Sequence, residues 1–294
     1  MRPAAETGII YDIGYQRYEG ARLGRGYAFR TLFAHSLRAA WGLGRGGKAL
    51  IFPFGIFAVI LFPAVVQVIV DTLSAGEGKL IGYADYFEFV QGMVLLFCAA
   101  QAPELVSTDQ HNRVLPLYFS RSIRRADYAA AKLLAMIAAL WLLMFAPMLV
   151  LFLGRISAAN DVGSALAKEA DSILPVLGTT LIVALVMGAI SVALASLTQR
   201  RALGSAAIFG MVILTTAVSA ILVKAGGAYQ QYFALLSPMR VLHGVILWFF
   251  KVPPSLRTPI AGTPLAGSTY LVTALALATV AALLLFTRYA RVRA

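Results

Sequence analysis

Six stretches of this chain run apolar on every side, with no charge near their middles, and short polar segments separate them. They cover residues 50–70, 86–102, 133–153, 173–197, 202–223 and 270–287. A soluble helix buries one face and shows a polar residue every third or fourth position. These runs do not. A bilayer's hydrocarbon core, about 30 Å thick, is crossed by roughly 20 apolar residues in a helix, and each run is long enough once tilt is allowed. The pattern predicts an all-α, polytopic membrane protein with six transmembrane helices.

Ahead of the first run, Phe29, Leu32, Phe33, Ser36, Leu37, Ala40 and Trp41 recur at helical spacing, with Arg30, Ala34 and Arg38 opposite. An apolar stripe backed by a basic face predicts a helix over 27–41 lying in the membrane interface; packing against a partner domain is the other reading. Gly42, Gly44, Gly46 and Gly47 then end it. The segment 42–49 follows phosphate-loop spacing up to its last position, where Ala49 stands in place of a Ser/Thr hydroxyl, and no strand precedes it. Nucleotide binding by this chain is not expected. Residues 1–49 thus form a cytoplasmic tail and amphipathic helix, and 50–294 the transmembrane domain.

Between spans, 71–85 and 154–171 read as external loops, and 199–201 as a tight cytoplasmic hairpin. The segment 229–250 is apolar, but Pro238, Arg240 and His243 fall near its middle, where charge is costly in lipid. It is expected to dip into the outer leaflet or cap the bundle from outside. Pro253, Pro254, Pro259 and Pro264 mark a stiff connection to the last span.

Charge fixes the expected orientation. The chain carries a net +12 and a pI near 10.1, which in a soluble protein would suggest nucleic acid. With the N-terminus inside, 18 of the 25 Lys and Arg fall in internal segments, as the positive-inside bias requires. Both termini are therefore expected in the cytoplasm of a cell-membrane protein, with lipids and no nucleic acid as partners. A cleavable leader is not expected, since the first apolar run begins near residue 50. Cys98, the single cysteine, excludes an intrachain disulfide.

The absences narrow the function. The central parts of the spans lack Asp, Glu, His, Lys and Arg, whereas ion-driven carriers keep ionisable groups at that depth. His35, His111 and His243 form no paired arrangement for a metal or haem. No catalytic constellation and no bound cofactor are expected, so energy for uphill movement would have to enter through a loop. The segment 103–127 is the candidate, with Glu104, Asp109, Tyr118, Phe119, Arg121, Arg124 and Arg125. A short helix with aromatic side chains can seat in a groove on a soluble domain; these residues also fit an ordinary charged internal loop.

The run Glu104-Leu105, Asp109, then 115–121 (Leu-Pro-Leu-Tyr-Phe-Ser-Arg), then Arg125, Asp127, Tyr128 and Lys132, lies between the second and third of six spans. It resembles permease subunits of ABC-2-type ATP-binding-cassette transporters. Residues 10–20 (Ile-Tyr-Asp-Ile-Gly-Tyr-Gln-Arg-Tyr-Glu-Gly), followed by Arg22-Leu23-Gly24-Arg25, resemble the start of actinobacterial-type members. The chain departs from the family pattern at Ser122, where members often have Pro. The resemblance implies an elbow helix over 27–41 carrying Phe29, Phe33, Leu37 and Trp41. It implies a coupling helix in 103–127 that docks on an ATPase, and re-entrant external helices over 229–250. It further implies a pair of permeases, identical or homologous, working with two ATPase subunits that bind ATP and magnesium. By the same analogy Gln91, Met93, Phe97, Gln101, Thr215 and Thr216 would line a path between the permeases. The expected activity is export of a hydrophobic or amphipathic cargo such as a drug, lipid or natural product. The rivals are a non-transport anchor or sensor subunit and a membrane enzyme or secondary carrier.

Overall fold

A computed structural model describes residues 20, 23–74, 82–120, 123–159, 161–227, 229–253 and 265–291. The tail residues 1–19, 21 and 22, Arg121 and Ser122, and Pro254, Pro259 and Pro264 lie outside the described residues. Among the described residues there is no strand. The helices are α1 (Arg25–Ala40), α2 (Gly47–Leu73), α3 (Tyr83–His111), α4 (Leu115–Phe119), α5 (Arg125–Ala158), α6 (Val162–Ser196), α7 (Arg201–Ala225), α8 (Pro238–Phe249) and α9 (Gly267–Ala290). A 3-10 turn, Gln230–Leu236, precedes α8. Six of these, α2, α3, α5, α6, α7 and α9, are long and apolar enough to cross a membrane. The protein is an all-α, multi-pass membrane protein, in which helical hydrogen bonding satisfies the backbone where lipid cannot.

Each spanning helix contains its apolar run, apart from the final residue of the fourth, and most extend beyond the run by several polar residues. The expected loop over 154–171 is almost entirely helix: α5 continues to Ala158 and α6 starts at Val162. Asp161 makes the early start possible. Its carboxylate accepts the backbone N–H groups of Gly163 at 3.1 Å and Ser164 at 3.3 Å, capping donors that a helix leaves open. Hydrogen bonds from Ser164 and Gly163 hold that carboxyl below its ordinary range. Similarly, Asp85 receives the N–H of Gly82 at 3.1 Å and Asp127 that of Arg124 at 3.0 Å. These acids at the N-terminal turns of α3 and α5 also complement the helix dipole.

The bundle is built around α5 and α6, which pack on each other. Helices α1 and α2 lie against α5; α3 and α9 lie against α6. Glycines allow the closest approaches: Gly154 of α5 faces Val68 of α2, and Gly188 of α6 faces Ile137 of α5. The 3-10 turn and α8 meet at a bend of 105°, so residues 229–250 do not form one straight helix. Glycines also seat α8, with Phe249 on Gly178, Trp248 on Gly267 and Gly244 under the Tyr270 ring. His243 is consequently buried in protein, at 3% exposure, which removes the lipid cost expected of it.

The interfacial stripe is the inward face of α1. Leu32, Ser36 and Ala40 are buried, while Phe29, Phe33, Leu37 and Trp41 pack half-buried on the core. Arg25 meets Asp127 in the first turn of α5. At the other end Trp41 contacts Phe54, Phe57 and Phe97. Gly42, Gly44 and Gly46 take positive φ values of 74°, 87° and 91°, which only glycine adopts at little cost. They turn the chain directly from α1 into α2.

Candidate functional site: the α4 end of the bundle

The segment expected as a 103–127 loop is shorter than that. Helix α3 runs through Pro103 to His111 and α5 begins at Arg125, leaving 112–124 to connect them around α4. Arg113 takes φ 53° at the turn out of α3. Pro116 sits in the first turn of α4, where a missing N–H costs nothing.

Helix α4 has two faces. Leu115 is buried, and Tyr118 and Phe119 turn inward, whereas Leu117 is 68% exposed. The inward pair packs on Tyr128 of α5, with ring centroids at 5.6 Å for Tyr118 and 6.0 Å for Phe119. Tyr128 is fully buried and also meets Tyr289 of α9 edge-on at 5.0 Å. Its hydroxyl donates to Asp109 of α3 at 2.8 Å. Lys132, one turn further along α5, pairs with the same carboxylate at 2.8 Å and lies 5.4 Å from the Tyr128 ring. Gln110 donates to the Tyr289 hydroxyl at 3.1 Å and to the Ser196 carbonyl at 3.0 Å. Arg125 lies over the Phe119 ring at 5.9 Å. Burial, with the negative charge of Asp109, pushes the Tyr118 phenol above its ordinary pKa. Helix α4 is therefore joined to α5 and α9 through stacked aromatic rings and to α3 through the Tyr128–Asp109 bond, and α3 is joined to α6 through Gln110.

Of the residues read from the sequence, Asp109, Tyr118, Phe119 and Arg125 converge here. Arg124 is exposed beside them, and Arg121 lies outside the described residues. Glu104 belongs to a different contact. It lies five residues before Asp109, about 7.5 Å along the helix at 1.5 Å per residue, and pairs with Arg45 of the glycine turn and with Arg201 of α7 at 2.5 Å. That ion pair ties the α1–α2 turn and the start of α7 to α3. Sequence reasoning missed Tyr128, Lys132, Tyr289, Gln110, Arg45 and Arg201 as partners. Only the Asp109, Tyr128 and Lys132 run gave any signal, as part of the family pattern.

A groove of about 560 Å³ separates α4 from α1, lined by Leu23, Tyr27, Thr31, His35, Leu117 and Ile123 among others. Arg25 of α1 pairs with both oxygens of Asp127, at 2.7 and 2.5 Å.

The six residues named for a path lie in different local surroundings within the chain. Gln91 borders a small enclosed cavity with Met144, Met187 and Met239. Met93 packs half-buried against the core, and Phe97 is fully buried beside Trp41. Gln101 lies 3.5 Å from Arg45. Thr215 bonds the Met211 carbonyl at 2.7 Å, and Thr216 the Ser237 hydroxyl at 2.9 Å. Among the described residues no cluster of His, Cys, Asp and Glu could hold a metal ion.

No protein-family model matches the chain, and no curated protein matches it.

Proposed function

We propose that this chain is the membrane-spanning subunit of an ATP-driven exporter of the ABC-2 type, powered by a separate ATPase that engages α4. The observation that carries this reading is the construction of α4. It presents Leu117 outward while Tyr118 and Phe119 bear on Tyr128, which is bonded to α3 and packed on α9. An apolar knob on a short helix with a wired base suits a part that receives movement from outside the bundle. The Arg- and Lys-rich segments beside it support a cytoplasmic position for this end.

In this reading ATP and magnesium stay on the ATPase pair. Closure of that pair shifts α4, and the spans alternate between inward- and outward-open states. The uncharged mid-sections of the spans favour a hydrophobic or amphipathic cargo over an ion. Helix α7 supplies the surface for a second permease. Only 17% of its apolar window is buried within the chain, and Ala206 and Gly210 lie on the exposed side, where small residues let helices approach closely.

The test is co-purification with a co-expressed ATP-binding-cassette ATPase, followed by ATP hydrolysis in vesicles. Hydrolysis that rises with a candidate cargo and falls in Leu117→Asp supports the reading. A complex indifferent to every amphipathic cargo but responsive to a signalling partner points to a sensor subunit. Uphill transport by this chain alone overturns the proposal.

A further inference from the structure

The end of the bundle opposite α4 is organised around one guanidinium. Arg155, near the end of α5, faces Asp71 of α2 at 3.8 Å and Glu169 of α6 at 3.9 Å. It also stands 4.3 Å from the centre of the Tyr83 ring of α3. The three charged side chains are almost closed to solvent, at 9%, 3% and 12% exposure for Arg155, Asp71 and Glu169. Gln67 donates to Asp71 Oδ1 at 2.7 Å, and the Tyr83 hydroxyl to Glu169 Oε2 at 2.8 Å. Tyr83 in turn stacks on Phe250, just past α8, at 5.9 Å and 13° between planes. Four spanning helices and the end of α8 therefore converge on Arg155.

Three features suit this assembly to opening and closing. The carboxylate contacts at 3.8 and 3.9 Å are longer than hydrogen bonds, so they hold by charge. Asp71 Oδ2 accepts no hydrogen bond among the described residues, although it is buried. Attraction within a buried ion pair is nearly offset by the cost of dehydrating it, so the cluster can be released without the loss that a packed apolar core would suffer. Finally, Gly154, the neighbour of Arg155, lets α2 press against α5 at Val68. The helix contact and the charge contact thus part together.

We propose that Arg155 is a latch holding this end of the bundle shut, and that the end opens by freeing α2 from α5 and α6. This rests on the charge cluster and the α2–α5 contact beside it, and stands whether or not the chain exports anything.

Two thiols in one molecule test it. Cys98 is fully buried in the middle of the bundle and reports global unfolding. Leu151, one turn before Arg155 and equally buried, is replaced by cysteine to report opening of this end. Purified full-length protein in detergent is exposed to a water-soluble maleimide. Adding Arg155→Gln is expected to speed labelling at position 151 at least about a hundred-fold, the scale of a lost partner in a buried pair, while Cys98 stays protected. Tyr83→Phe keeps the ring beside Arg155, removes the hydroxyl that bonds Glu169 and interacts with Arg155, and is expected to give a smaller rise. Unchanged labelling at position 151 overturns the latch, as does labelling that rises only in step with Cys98. Should Arg155→Gln not yield folded protein, Asp71→Asn and Tyr83→Phe carry the same test, and protection in both overturns it.

Discussion

Tyr128 and Asp109 are joined by a 2.8 Å hydrogen bond from phenol to carboxylate, and through it α4 is connected to α3. The same ring supports Tyr118, Phe119 and Tyr289. Tyr128→Phe keeps the aromatic contacts and removes the bond, which leaves the Asp109 carboxylate paired with Lys132 among the described residues. Loss of a hydrogen bond to a charged group costs about 1.5–3 kcal/mol. Tyr128→Ala also removes a buried ring, and large-to-small changes of that kind cost about 3–5 kcal/mol. Thermal unfolding followed by Cys98 labelling should rank wild type above Tyr128→Phe and that above Tyr128→Ala. Equal stability of Phe and wild type would show that the hydrogen bond contributes nothing.

Glu104, expected in the segment that meets the partner, joins Arg45 and Arg201 within the chain. Glu104→Lys should therefore lower the yield of folded membrane subunit even with no ATPase present. The Arg201 pair is weaker than its 2.5 Å separation suggests, because Arg201 is 60% exposed and water screens it. A Glu104/Arg201 double-mutant cycle should return no more than about 1 kcal/mol. A larger coupling would mean that this end is less hydrated than its exposure indicates.

Leu117 offers the reverse case. Its side chain leaves little behind when removed, and exposed substitutions usually change stability by about 0.5 kcal/mol or less. Leu117→Asp should unfold at the same temperature as wild type and still lose stimulation of the partner ATPase. Full stimulation in this variant would remove α4 as the docking element.

Two glycines separate packing inside the chain from packing between chains. A Cβ at Gly244 would collide with the Tyr270 ring, so Gly244→Val should destabilise by about 1–3 kcal/mol. A Cβ at Gly210 meets nothing within 4 Å. Gly210→Ala should be neutral, or stabilising by up to about 1 kcal/mol through helix propensity. Gly210→Leu is expected to leave the single chain folded but break a permease pair formed through α7. Cross-linking in native membranes distinguishes these outcomes.

Much of the fold could be read along the chain because a bilayer demands a local property. Every residue of 50–70 or 270–287 must be compatible with lipid or with a neighbouring helix, and that requirement is written continuously. Helix ends were less legible. Pro103 and the polar residues 154–171 read as loops, yet α3 passes through the first and α5 and α6 absorb most of the second. Polar residues outside lipid can be helical or not, and the caps at Asp161, Asp127 and Asp85 decide the matter.

Alone, the sequence determined the all-helical class, the number of long apolar helices and the residues of the apolar stripe of α1, since each follows from composition over a single helix length. Tertiary structure decided which charges meet. Asp109 finds Tyr128 and Lys132, Glu104 finds Arg45 and Arg201, and Arg155 gathers Asp71, Glu169 and Tyr83. Those partners lie from 14 to 97 residues apart, and no local periodicity encodes such a pairing. It arises only when antiparallel helices of particular length and tilt bring their ends to the same level.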